Sequence, residues 1–169
     1  MDAKRGNRLW RHVLADDVDV RRSFPPDALD RVEALIRAGE SRHTGEVCVA
    51  IEPALPVGRV WRHVPPRDRA LEVFGLLRVW DTEHNNGVLI YLLLADRHFE
   101  IIADRGIHRH VGAAGWEAIA RQMAAIFAER RPVAALEHGV GAINELLVRH
   151  FPGDDRDPNE LPNRPVLLA

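Results

Sequence analysis

In the segment Trp80-Asp81-Thr82-Glu83-His84-Asn85-Asn86-Gly87, two carboxylates, one imidazole and two side-chain amides fall within eight residues. Carboxylate and amide oxygens are hard ligands that suit Ca²⁺ or Mg²⁺. An apolar run, Val88 to Ala95, follows at once, so the polar loop opens onto a buried strand. Two more carboxylates border apolar runs: Glu46 precedes one and Asp104 ends another. If those runs are neighbouring strands, a cation could draw on Asp81, Glu83, Asn85, Asn86, Asp104 and Glu46, with His84 or Arg105 steadying a bound phosphate.

The elements that must bring these residues together are readable from spacing. Pro26 and Asp27 begin a helix in which Leu29, Val32, Leu35 and Ile36 share one face, with Gly39 as its stop. Glu46 to Ile51 reads as a core strand. Beyond a Pro-rich loop, Ala70, Val73, Phe74, Leu77 and Trp80 trace the face of a second helix. Val88 to Ala95 is the second strand, and Asp96-Arg97 makes a tight turn into a third, His98 to Ala103. Two closing helices carry Trp116, Ile119, Ala120, Met123 and Phe127, then Leu136, Val140, Ile143 and Leu147. Right-handed crossover makes the first two strands parallel, and the hairpin makes the third antiparallel to the second. The expected fold is α/β, a three-layer α/β/α sandwich around a small mixed β-sheet. With a two-residue turn, Leu89 faces Asp104 and Gly87 faces Gly106, which gathers the polar residues at one rim of the sheet.

Length and charge bound the rest. The 169 residues suffice for one domain, expected over 25–151, with an N-terminal extension at 1–24 and a Pro-, Asp- and Asn-rich, disordered tail at 152–169. A net charge of −2 steers the molecule toward neither nucleic acid nor anionic membrane. Cys48, the single cysteine, sits inside a core strand and reads as packing. No secretory h-region is visible, and the longest apolar run is eight residues, so a soluble, cytoplasmic protein without a transmembrane segment is expected.

Other constellations fail on geometry. His98 falls at the opposite end of the hairpin from His84, and His108 and His110 read as exposed. Asp155-x-Asp157-x-Asn159 lacks the glycine and the terminal glutamate of a calcium loop. Asp17-x-Asp19 follows no buried strand and reads as a solvated loop, while Trp10 is expected to pack against the domain.

Thr44-Gly45-Glu46 before the first strand, Trp80 at the helix end, Asn85-Asn86-Gly87-Val88-Leu89, and Asp96-Arg97 at the hairpin resemble the TPM domain family of thylakoid-lumen and bacterial YgcG-like proteins. The resemblance covers about residues 27–151. It implies the same sandwich and divalent-cation binding, usually of calcium, at the loop end of the sheet. Acid phosphatase activity is implied for some members, and for others an accessory role beside a membrane complex. A LemA-type membrane protein is the partner implied, with a peripheral position at the inner membrane. The family's Gly-Tyr-Gly-Leu-Glu-like segment after the third strand reads Asp104-Arg105-Gly106-Ile107-His108 here.

Three readings stand open on this basis. The first is a non-catalytic, divalent-cation-binding interaction domain, since no nucleophile or general base is evident. The second is a metal-assisted phosphomonoesterase. The third is a metal-free scaffold that engages a partner through the N-terminal Trp-Arg segment.

Overall fold

The computed structural model describes residues 3–153 and 159–168. Its helices are α1 (Ala3–Leu14), α2 (Asp17–Ser23), α3 (Pro26–Glu40), α4 (Val57–Trp61), α5 (Pro66–Leu76), α6 (Arg105–Ala128) and α7 (Pro132–His150). The strands are β1 (Val47–Glu52), β2 (Val88–Leu93), β3 (His98–Ala103) and β4 (Val166–Leu167), in the sheet order β3-β2-β1-β4. β1 and β2 are parallel and β2 and β3 antiparallel, so the three-layer mixed α/β fold holds. Every residue of the two central strands is buried. Their alternate side chains feed two cores. Val47, Val49, Ile51, Val88, Ile90 and Leu92 meet α3, α6 and α7, whereas Cys48, Ala50, Leu89, Tyr91 and Leu93 meet Val60, Ala70 and Val73 of α4 and α5.

Local details depart from the expected elements. Gly39 does not stop α3: it lies buried inside the helix, where a Cβ would meet the Asn144 side chain. α5 ends at Leu76, and Arg78 adopts a left-handed backbone with φ 55°. That turn buries Val79 and leaves Trp80 half exposed, the reverse of the expected stripe. Asp17 and Asp19 lie in α2, not a loop, because the Asp16 side chain accepts from the Val18 and Asp19 N–H groups and caps the helix. Trp10 does not pack inward; it is 64% exposed, and α1 is held instead by Arg8 and His12, which both reach the Asp96 carboxylate.

The hairpin register also shifts. Leu94 to Arg97 form a four-residue turn closed by the Arg97 N–H to the Leu94 carbonyl at 2.9 Å, with Arg97 left-handed at φ 52°. Leu89 therefore pairs with Ile102, not Asp104. The polar rim survives, because Gly87 now stands opposite Asp104 and its carbonyl accepts the Asp104 N–H at 2.9 Å.

The tail is the largest departure. Val166 and Leu167 pair in parallel with Ala50 and Ile51 and close the free edge of β1, so the described part of the tail is ordered, contrary to its composition. The expectation of disorder for 154–158, and the Asp155 and Asp157 positions, lie outside the described residues. The order comes from non-local partners. Leu161 enters the second core, Glu46 accepts the N–H groups of Glu160 and Leu161 at 3.1 and 3.3 Å, and Arg164 pairs with Asp30 and Glu33. Asn163 donates to Glu40, whose other oxygen accepts the Val47 N–H at 3.1 Å.

Two buried acidic clusters follow from this packing. At the end of β1, Glu52 is 2% exposed and takes a two-pronged contact from Arg69 on α5, with Nε at 3.0 Å and Nη2 at 2.9 Å. Tyr91 donates its hydroxyl to the same carboxylate, and burial with the adjacent Glu52 pushes the phenol upward. At the other end of β1, burial first and repulsion from Glu46 second push the Glu40 carboxyl from 4.5 up to about 8.

Replacing Arg69 with Met leaves Glu52 buried without its cation and should cost about 3–5 kcal/mol in urea unfolding. Glu40 makes a pH prediction. Its folded carboxyl holds a proton more tightly than the unfolded one, so its stabilisation is complete below about pH 4.5 and lost as pH rises through about 8. Glu40→Gln keeps a carbonyl for the Val47 N–H and carries no charge. The variant should match the parent near pH 5 and exceed it by a few degrees of Tm at pH 9, read by thermal melts across that range.

Candidate functional site

The segment after α5 turns back on itself before entering β2. Asn85 is left-handed at φ 53°, and its N–H donates to the Thr82 carbonyl at 3.2 Å. The Thr82 hydroxyl accepts the Asn86 N–H at 3.2 Å, so a buried threonine ties the loop together. Asn86 is fully buried and turned away from solvent, its amide donating to the Thr44 carbonyl and hydroxyl at 3.1 and 3.2 Å. Gly87 has no space for a side chain, since a Cβ would stand 2.0 Å from the Val79 carbonyl oxygen.

Across from this loop, β3 ends and α6 begins. Asp104 caps α6 by accepting the Arg105 N–H at 2.6 Å through Oδ1. Its Oδ2 is buried and has no hydrogen-bond partner among the described residues. The Gly106 N–H donates to the Asn85 carbonyl at 2.8 Å, and a Cβ on Gly106 would lie 2.3 Å from that same oxygen. Arg105 reaches back over the loop, its Nε and Nη2 at 3.2 and 3.1 Å from Asn85 Oδ1.

Between the two segments lies an open cleft of about 440 Å³ lined by Trp80, Asp81, Thr82, Asn85, Asp104 and Arg105. Of the residues expected from spacing, Asp81, Asn85, Asp104 and Arg105 meet here. Asp81 is half exposed and 3.4 Å from Arg78. The others stand elsewhere. Glu46 faces the tail, and Asn86 faces Thr44. Glu83 is exposed, its N–H donating to Glu160, and His84 is exposed as well. Trp80 and Thr82 line the cleft although spacing marked neither as a ligand. The hint for Thr82 was its place four residues before Asn86, the span its hydroxyl closes.

This donor set defines what cation would fit. No group of three or more His, Cys, Asp or Glu side chains stands close enough for a metal centre among the described residues. Two carboxylates and one amide oxygen border the cleft, and one carboxylate oxygen there is unsatisfied. A hard ion that keeps several water ligands suits such a set, and a fully caged ion does not. The guanidinium of Arg105 at the rim adds a site for an oxyanion beside it.

The TPM domain model matches residues 18–146. The BA42 protein of the psychrophilic bacterium Bizionia argentinensis, solved by NMR, has a similar structure: TM-score 0.73, 27% identity, covering 84% of this chain and 93% of that one. The N-terminal domain of a protein from P. gingivalis shares the fold with TM-score 0.60 and 22% identity, covering 76% of this chain and 81% of that one. No functionally curated protein matches. No helix among the described residues is long and apolar enough to cross a membrane. This chain belongs to the TPM domain family.

The contact between the 84–87 loop and the start of α6 leaves no slack. Gly106→Ala should force the two apart, lowering stability by about 1–3 kcal/mol in urea unfolding. The same substitution at Gly141, where added bulk meets nothing within 4 Å, should leave stability unchanged or slightly raised.

Proposed function

We propose that this TPM domain is a non-catalytic, divalent-cation-binding module whose ion, Ca²⁺ or Mg²⁺, is held by Asp81 and Asp104, with Asn85 Oδ1 joining them once the Arg105 guanidinium that occupies it swings aside. The observation that carries this reading is Asp104 Oδ2, a buried carboxylate oxygen without a protein partner at a cleft bordered by a second carboxylate. Burying such an oxygen unpaired is costly, and a cation offsets that cost. Glu46 is engaged by the tail and Glu83 is exposed, and Asn86, whose Oδ1 is also buried without a partner among the described residues, does not line the cleft, so none of the three is part of the proposed set. Few protein ligands and an open cleft point to weak binding, in the range of sites that respond to millimolar ion. An accessory role beside a membrane complex, with a LemA-type protein as partner, is the physiological setting that the family resemblance suggests.

A second reading has one observation in its favour. Arg105 stands at the rim with the carboxylates, so a phosphate group could bind across the cation and the guanidinium. The bound ion would then supply Lewis-acid polarisation of a phosphoryl oxygen, as in a metal-assisted phosphomonoesterase. Arg105 would orient the phosphate. His84, exposed on the adjoining turn, is its remaining candidate neighbour.

Thermal unfolding with millimolar CaCl₂ or MgCl₂ tests the first reading. A rise in Tm that grows with ion concentration is expected with the parent chain, because ion at its Kd adds about 0.4 kcal/mol and at ten times its Kd about 1.4 kcal/mol. Asp104→Asn should remove the rise while preserving the helix, since asparagine caps as well as aspartate. An equal rise in that variant would exclude this cleft as the site. Release of phosphate from an aryl phosphate, lost in Asp104→Asn and in Arg105→Ala together, would favour the second reading instead.

A further inference from the structure

Arg105 is the first residue of α6, where the helix dipole opposes a positive charge. Its guanidinium is held from outside the helix: Nε and Nη2 converge on Asn85 Oδ1 at 3.2 and 3.1 Å. An amide oxygen has two lone pairs, and these two N–H groups use both. The contact is exposed, so other ligands can compete for either group. Asp104, the preceding residue, does not take the guanidinium; its Oδ1 accepts the Arg105 N–H and its Oδ2 has no partner among the described residues. Arg105 also borders two spaces at once. It lines the cleft, and it lines the groove that runs along β3 past Ala103 and His108. The guanidinium thus has open room to turn into when it leaves Asn85.

We propose that Arg105 is a built-in competitor for the cleft's ion: guanidinium and divalent cation exchange on Asn85 Oδ1, and an oxyanion that draws the guanidinium away promotes ion binding. The inference rests on the cation-binding reading of the cleft and adds its regulation. Exclusion has two physical sources. The ion needs the lone pairs that Nε and Nη2 occupy, and like charges at such short range repel. Arg78 does not compete in this way, because it meets Asp81 through one carboxylate oxygen only, Oδ2 at 3.4 Å. Once released, the Arg105 fork matches a pair of phosphate or carboxylate oxygens better than a single amide oxygen. Linkage makes the effect mutual: whatever factor the oxyanion adds to ion affinity, the ion adds to oxyanion affinity.

The test titrates CaCl₂ and, separately, MgCl₂ into the ¹⁵N-labelled chain and follows NMR signals. The Asn85 side-chain amide and the Arg105 Nε–H should shift together, saturably and with one midpoint. Arg105→Ala should tighten the ion about three- to tenfold. Asn85→Gly, which suits the left-handed backbone there, should weaken the ion and make a second change of Arg105→Ala nearly silent. Phenylphosphonate, an oxyanion that cannot be hydrolysed, should lower the parent's Kd for Mg²⁺ and leave that of Arg105→Ala nearly unchanged. The exchange is overturned if Arg105→Ala alters the Kd by less than about twofold, or tightens Asn85→Gly by the same factor as the parent, the mark of charge repulsion alone. A phenylphosphonate effect undiminished in Arg105→Ala would overturn it too. Ion binding that needs Asp104 but shows any of these results leaves the cation module standing, whereas no binding by the parent or by Arg105→Ala removes both.

Discussion

The candidate site depends on one close approach between two backbones. The loop before β2 and the start of α6 touch through Gly87 and Gly106, with the Gly87 carbonyl on the Asp104 N–H and the Asn85 carbonyl on the Gly106 N–H. Neither glycine has room for a side chain. This contact seats Asp104 as the cap of α6 and holds Asp81 and Asn85 across from it. It also carries Arg105 over the loop, so a helix start, a turn and a strand end share one small volume. A Cβ on Gly106 would force the loop and α6 apart, whereas one on Gly87 would strike the Val79 backbone.

Buried acids organise the two ends of β1. At one end Glu52 has both a cation and a phenol to satisfy it, and α5 is thereby fixed over the sheet. At the other end Glu40 and Glu46 are held by backbone N–H groups and by Asn163, and the raised Glu40 carboxyl reflects burial beside a like charge. The second cluster pins the returning tail. Through it, a pair of carboxyl groups that would be a liability in an exposed strand end becomes the anchor for β4.

The sheet's two edges are treated differently. β1 would present a row of unpaired backbone groups without the two-residue strand that returns from the C-terminal end. β3 receives no such cover, and its neighbours on α6 are small and apolar. The β3 edge lies between α5 and α6, and the cleft bordered by Asp81 and Asp104 lies at its far end, where Arg105 begins α6.

Most of the architecture was legible because it rests on short-range patterns. Continuous apolar runs marked β1, β2 and β3, helical spacing marked α3, α5, α6 and α7, and right-handed crossover settled strand direction. The loop of interest was legible too, since Asp81 to Gly87 concentrates polar groups between a helix and a buried strand. What spacing could not decide was which way each polar group turns. Asn86 and Glu46 have the same chemistry as Asn85 and Asp104, yet the former serve Thr44 and the tail. The hairpin register moved by two residues because a left-handed Arg97 permits a four-residue turn, a choice the flanking runs tolerate equally. The tail was misread because its order comes from partners more than 100 residues away, such as Glu46 for Leu161. Composition and period, which report how a segment packs on average, thus determined the fold class and the polar rim. Only the tertiary structure assigned each oxygen its neighbour, because a hydrogen bond is decided within a few tenths of an ångström and sequence spacing resolves no finer than a turn or a strand face.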